Sequence, residues 1–125
     1  MIVGLGVDLV DNARIARLLA ERPRAIERLL TARERAELPE ALYRRVEYVA
    51  GRFASKEALA KALGTGIGGR FAFGDVSIII GKNGAPEVVV EIDRSGRLRD
   101  LVIHLSISHE RTQTVAVAVL EAGLP

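Results

Sequence analysis

Cysteine is absent from the 125 residues, which excludes disulfides, thiolate nucleophiles and zinc-thiolate centres. Any metal must be held by oxygen or imidazole. Long hydrophobic runs are also missing: no apolar stretch approaches the roughly 20 residues of a membrane span, so no membrane partner is expected. The opening Met1-Ile2-Val3-Gly4 lacks the basic region and apolar stretch of a signal peptide, which predicts a cytoplasmic protein. Aromatic residues are scarce. Two tyrosines and three phenylalanines offer few platforms for stacking nucleic-acid bases. A net charge of +2 is too small for a chain that coats nucleic acid, and no such partner is expected. With no internal repeat, linker or low-complexity stretch, residues 1–125 are expected to form one domain.

What is present is a balance of 49% apolar and 27% charged residues, typical of a folded chain. Fifteen of the eighteen basic residues are arginine, and ten of those lie between Arg14 and Arg52. The planar guanidinium fork suits phosphates and carboxylates, so an anionic partner is expected.

Residues 2–10 alternate, with Val3, Leu5, Val7 and Leu9 on one face and Gly4, Gly6 and Asp8 on the other. The second face has no bulk before its carboxylate, so another backbone can approach it closely. Asp11 or Asn12 then caps a helix reaching about Glu21. Pro23 breaks that helix, and residues 25–38 read as short helical pieces with Thr31 and Glu34 spaced as a capping box. From Glu40 to Leu63 apolar residues recur at three and four, predicting a long central helix. The glycine-dense stretch from Gly64 to Gly69 must be a loop. Strands are predicted over residues 73–80 and 87–92, joined through Asn83-Gly84, and over 102–108 and 114–120. Residues 93–100 read as a helical turn or a loop.

Phe53, Glu57 and Lys61 follow one another at intervals of four, which puts a carboxylate on a helix face among cations. An ordinary surface ion pair explains the same spacing, but the glycine turn directly after Lys61 could cradle a diphosphate. Gly64, Gly66 and Gly69 satisfy G-x-G-x-x-G, yet they close a helix where a dinucleotide fingerprint opens one. A helix C-cap accounts for them equally well. Asp8 reads either as a strand-end turn residue or as one of two carboxylates that hold Mg²⁺ with Glu57. His104, Ser106, Ser108 and His109 supply no oxyanion hole or orienting acid for a hydrolase, and no metal-binding helix motif.

Five stretches together, Gly4-Leu5-Gly6-Val7-Asp8-Leu9, Gly51-Arg52-Phe53-Ala54-Ser55-Lys56-Glu57-Ala58, residues 61–68, Asn83-Gly84-Ala85-Pro86 and residues 104–109, resemble the bacterial holo-acyl-carrier-protein synthases. The order and spacing match almost from end to end. The resemblance implies an α+β fold, the phosphopantetheinyl transferase fold, in which a largely antiparallel sheet packs on a long central helix. It implies a homotrimer with active sites between subunits. It also implies transfer of the phosphopantetheine arm of coenzyme A to a serine of apo acyl carrier protein, in support of fatty acid biosynthesis. By the same likeness Asp8, Glu57 and Lys61 are catalytic, with Mg²⁺ on Asp8 and Glu57. The coenzyme A surface is assigned to Arg52, Phe53, Lys56, Lys61, Gly64, Thr65, Gly66, His104 and Ser106, with Asn83, Gly84 and Pro86 from a neighbouring subunit. Arg14 and Arg24 are the matching carrier-docking positions. Glu21 stands where a basic residue is expected, so Arg17 or Arg22 is the compensating charge. The serine's proton acceptor stays open among Glu57, a metal-held water and His104. A non-catalytic module that binds anions or carrier protein through the arginine-rich helices is the alternative class.

Overall fold

Alternation in the opening residues forms strand β1 (Ile2–Asp11), whose two faces meet different surroundings. On one face Gly4 and Gly6 lie against the backbone of the long helix α4 (Leu42–Leu63). A β-carbon on Gly4 would collide with the carbonyl oxygen of Ala62, and one on Gly6 with that of Ala58. The other face leaves Val3, Leu5, Val7 and Leu9 exposed.

The computed structural model describes residues 1–123. Between β1 and α4 run three shorter helices, α1 (Asn12–Glu21), α2 (Ala25–Leu29) and α3 (Ala32–Ala36). Asp11 caps α1, its Oδ1 accepting from Ala13 N at 3.0 Å. Thr31 and Glu34 form the expected capping box at the start of α3. Gly64 ends α4 at φ 79°, and the amides of Gly64 and Thr65 fold back on the last helical carbonyls.

After α4 come β2 (Val76–Ile80), β3 (Pro86–Val90), β4 (Leu101–His109) and β5 (Gln113–Ala122). The strands form two antiparallel sheets, β1-β5-β4 and the separate hairpin β2-β3. The hairpin is shorter than its β-branched pattern predicts. Residues 73–75 form a 3-10 turn because the buried Asp75 accepts from Ala72 N and from the Arg94 guanidinium. At the far end the amides of Glu91 and Ile92 leave the ladder for the Asp75 carbonyl. The polar stretch before β4 closes as a second 3-10 turn, Leu98–Asp100, with Asp93 accepting from the amides of Leu98 and Arg99.

Central strand β5 turns Ala116 and Ala118 toward α4, where Ala54 and Ala58 are equally buried. Small side chains on both partners let the helix lie close to the sheet. Val49, Leu59, Leu120 and Ile15 belong to the same core, with Leu30, Phe71 and Ile78 among its other large side chains.

Candidate active site

Two residues past Gly6, Asp8 points to the helix side of β1, and its Oδ1 accepts a 3.1 Å hydrogen bond from Lys61 Nζ. The same ammonium donates to the Val7 carbonyl at 3.1 Å. Glu57 stands one turn before Lys61 on α4. Burial lifts the Glu57 carboxyl above the usual carboxylate range and the Asp8 carboxylate lifts it further, while Lys61 and Arg14 oppose the shift. Arg14 comes from α1, its guanidinium 5.6 Å from the centre of the Phe53 ring, and Phe53 stacks on Phe73 at 5.6 Å. A strand, two helices and the Phe73 turn therefore bring two carboxylates, two cations and an aromatic wall to one place. Asp8 is largely enclosed while the Lys61 side chain is 54% exposed, so the ammonium faces the open side.

This donor set fits Mg²⁺. A hard cation takes one or two protein carboxylates and completes its shell with water and substrate phosphate, and Asp8 with Glu57 offers that number. The glycine turn lies just beyond Lys61. Nothing stands within 4 Å of where a β-carbon would be on Gly64 or Gly66, and the Thr65 hydroxyl donates to the Gly66 carbonyl at 2.8 Å. The turn is both a helix cap and an open stretch of backbone.

Lys56 does not join this site. The resemblance placed it on the coenzyme A surface, but its side chain is fully buried. Its three protons go to Glu34 Oε1 at 2.6 Å, Phe73 O at 2.8 Å and Leu29 O at 2.9 Å. Burial draws its pKa below that of an ordinary lysine and the Glu34 carboxylate offsets this. No donor is left for a ligand.

Arg52 is five positions from Glu57, about 140° around the helix, and faces away from it. Its guanidinium lies 3.7 Å from the centre of the Tyr48 ring, and its buried Nε has no partner. Both residues line a cavity of about 490 Å³ with Arg33, Glu37 and Ile79. His104 and Ser106 are on the outer face of the sheet, on the opposite side from Asp8; His104 Nε2 is 3.0 Å from Glu121 Oε1. Asn83, Gly84 and Pro86 belong to the β2-β3 turn and hairpin, with Gly84 at φ 80°. One chain thus gathers Asp8, Phe53, Glu57, Lys61 and the glycine turn, and holds Arg52, His104, Ser106 and the hairpin turn elsewhere.

Of the basic positions on the first helices, Arg24 lines a groove of about 460 Å³ between α1 and α2, together with Arg22, Arg28, Leu18 and Leu29. Arg17 is exposed on α1 but is not part of that lining. Arg22, next to Glu21, is in that lining.

A family model described as the 4'-phosphopantetheinyl transferase superfamily matches residues 4–119. The chain belongs to that superfamily. It is 47% identical over 124 residues to a holo-[acyl-carrier-protein] synthase of Geobacillus kaustophilus, covering 97% of this chain and 90% of the relative. A crystal structure of the holo-[acyl-carrier-protein] synthase of Neisseria meningitidis matches at TM-score 0.87 and 39% identity, over 97% of this chain and 99% of that one. The Bacillus anthracis synthase, crystallised in complex with CoA (3',5'-ADP), matches at TM-score 0.86 and 38% identity, over 98% and 99% of the two chains. The α+β fold of the chain is that of these synthases, and its activity is phosphopantetheinyl transfer to acyl carrier protein.

Two side chains of this transferase escaped the sequence reading. Glu34 is recognisable only as a capping residue, since nothing in the sequence signals that its carboxylate also meets Lys56 across 22 positions. Tyr48 is legible in part, standing four before Arg52, the spacing of helical neighbours.

Proposed function

We propose that the chain is one phosphopantetheinyl transferase domain that moves phosphopantetheine from coenzyme A to a serine of apo acyl carrier protein, with Mg²⁺, in the cytoplasm. The reading rests on one observation: Asp8, Glu57 and Lys61 meet at a strand-helix crossing beside an open glycine turn. The serine oxygen attacks the phosphorus that carries pantetheine, an O–P bond forms, and the phosphoanhydride bond breaks. Adenosine 3',5'-bisphosphate leaves and the serine proton passes to a base. Asp8 and Glu57 would hold Mg²⁺, which supplies charge neutralisation at the diphosphate. Lys61 neutralises charge that develops on the phosphate oxygens, and Gly64 and Gly66, whose amides are taken up by the end of α4, leave side-chain-free room beside it for the diphosphate to lie in line for attack. The modified carrier supports fatty acid biosynthesis.

A homotrimer completes the site. Arg52 with its unpartnered Nε, His104 and Ser106 are separated from Glu57 by the helix or the sheet within one chain, the Asn83–Pro86 turn is the tip of a separate hairpin, and a neighbouring subunit can bring such groups to the same coenzyme A. The exposed Leu5, Val7 and Leu9, beside Val115, Val117 and Val119 in the pairing register, form a broad apolar sheet face suited to association. The basic groove between α1 and α2, together with Arg14 on α1 over the Phe53 ring, docks an acidic surface of the carrier. Among the described residues no helix is long and apolar enough to cross a membrane.

The test is incubation of the purified protein with Mg²⁺, coenzyme A and apo acyl carrier protein, read by intact-protein mass. The carrier should gain one phosphopantetheine on its serine. An unmodified carrier overturns the reading.

A further inference from the structure

We infer that Lys56 and Glu34 are positioning residues for carrier docking: their buried pair sets the place of α2 and of the Phe73 turn, and so shapes the docking groove and the Phe73–Phe53 stack on which Arg14 rests. This rests on the proposed docking of the carrier at the α1-α2 groove.

The pair is fully engaged. Lys56 donates to the Leu29 carbonyl, the Glu34 carboxylate and the Phe73 carbonyl. Glu34 accepts in addition from Thr31 N at 2.9 Å and from Ile78 N at 2.8 Å. An ammonium on α4 thereby ties together the end of α2, the start of α3 and the turn leading into β2.

Two of the three groups that Lys56 holds reach the functional surface. Leu29 floors the basic groove with Leu18, between Arg22, Arg24 and Arg28. Phe73 stacks its ring on Phe53, over which Arg14 lies. Without the ammonium, both carbonyls would face the interior unpaired, and their segments would move toward water to satisfy them.

Helix α2 needs such an anchor. It has five residues and no side-chain cap at its start, so its intrinsic stability is negligible. Besides Lys56, the Arg35 guanidinium secures its end, donating to Leu30 O at 2.6 Å. A buried ion pair is a weak source of stability compared with apolar packing, so its worth here is in geometry.

The test uses two neutral replacements of the pair, Lys56→Met/Glu34→Gln and Lys56→Gln/Glu34→Gln, in the full chain. Each removes both buried charges together and keeps an amide oxygen to accept from Ile78 N. In a folded variant, KM for apo carrier should rise about tenfold while kcat and KM for coenzyme A stay within about twofold. An unchanged carrier KM, or parallel losses toward both substrates, overturns the inference. Failure of both variants to fold also overturns it, by assigning the pair to folding alone. Charge reversal in the groove, Arg22→Glu/Arg24→Glu, tests the underlying reading separately. If it leaves carrier KM unchanged, docking lies elsewhere; if it raises carrier KM and the neutral pairs do not, only the positioning role fails.

Discussion

The α-carbon of Gly6 sits against the carbonyl oxygen of Ala58, leaving no room for a side chain between strand and helix. That contact sets how close β1 lies to α4, and therefore whether Asp8, two residues on, reaches the level of Glu57 and Lys61. Gly6→Ala should destabilise the fold by about 1–3 kcal/mol, as overpacking does. The melting temperature is expected to fall by about 5–10 °C. Residual activity should fall further than the loss of folded protein explains, because Asp8 is displaced along with the strand.

Asp8→Ala and Glu57→Ala should each lower transfer by at least about a hundredfold with far-UV circular dichroism unchanged. Substantial transfer by both variants would remove the carboxylates from the mechanism.

Glu57→Gln is expected to be inactive yet slightly more heat-stable. The folded state holds the Glu57 carboxyl above its unfolded value through burial and the Asp8 charge. The cost of ionising it is therefore absent at acid pH and develops as pH rises through the elevated pKa. Because Glu57 is partly exposed, solvent screening keeps the gain small, about 1–3 °C near pH 7. The difference from the unmodified enzyme should vanish toward about pH 4 in melting curves taken across the range. A variant less stable than the parent at neutral pH would contradict the assigned sign.

Arg14→Glu should raise KM for carrier protein by about tenfold or more and change KM for coenzyme A much less. Added salt should weaken carrier binding by the parent enzyme and have little effect on the variant. Equal effects on both substrates would place Arg14 at the coenzyme A site instead of the docking surface.

With the proposed trimer assembled through the outer sheet face, a charge there, Leu5→Lys or Val117→Glu, should lower the solution mass to that of a monomer by sedimentation, and transfer should fall with it. Both positions face away from α4, Leu5 paired with Val119 and Val117 with Val7 on the same face of the sheet. A variant that remains trimeric would mean another surface makes the assembly.

Much of the fold was legible because local rules agree with the final structure. The Thr31-Glu34 spacing, the Gly64 stop and the alternation in β4 depend only on neighbouring residues, and each appears where expected. The shortened hairpin was not legible. Its limits depend on Asp75, whose side chain binds Arg94 nineteen positions later and whose carbonyl draws two amides off β3.

Among the site residues, Glu57 and Lys61 shared a helix face by spacing alone, and the sequence by itself determined that a carboxylate would stand among cations before a glycine turn. It also determined that the second face of β1 would carry no bulk before Asp8. Only the tertiary structure decided that this bare face meets α4, that Lys61 reaches Asp8, and that Lys56, the neighbour of Glu57, turns inward to Glu34. The reason is physical: helix periodicity specifies the direction of each side chain around its own axis, while partners 22 or 53 positions away are set by how the elements pack.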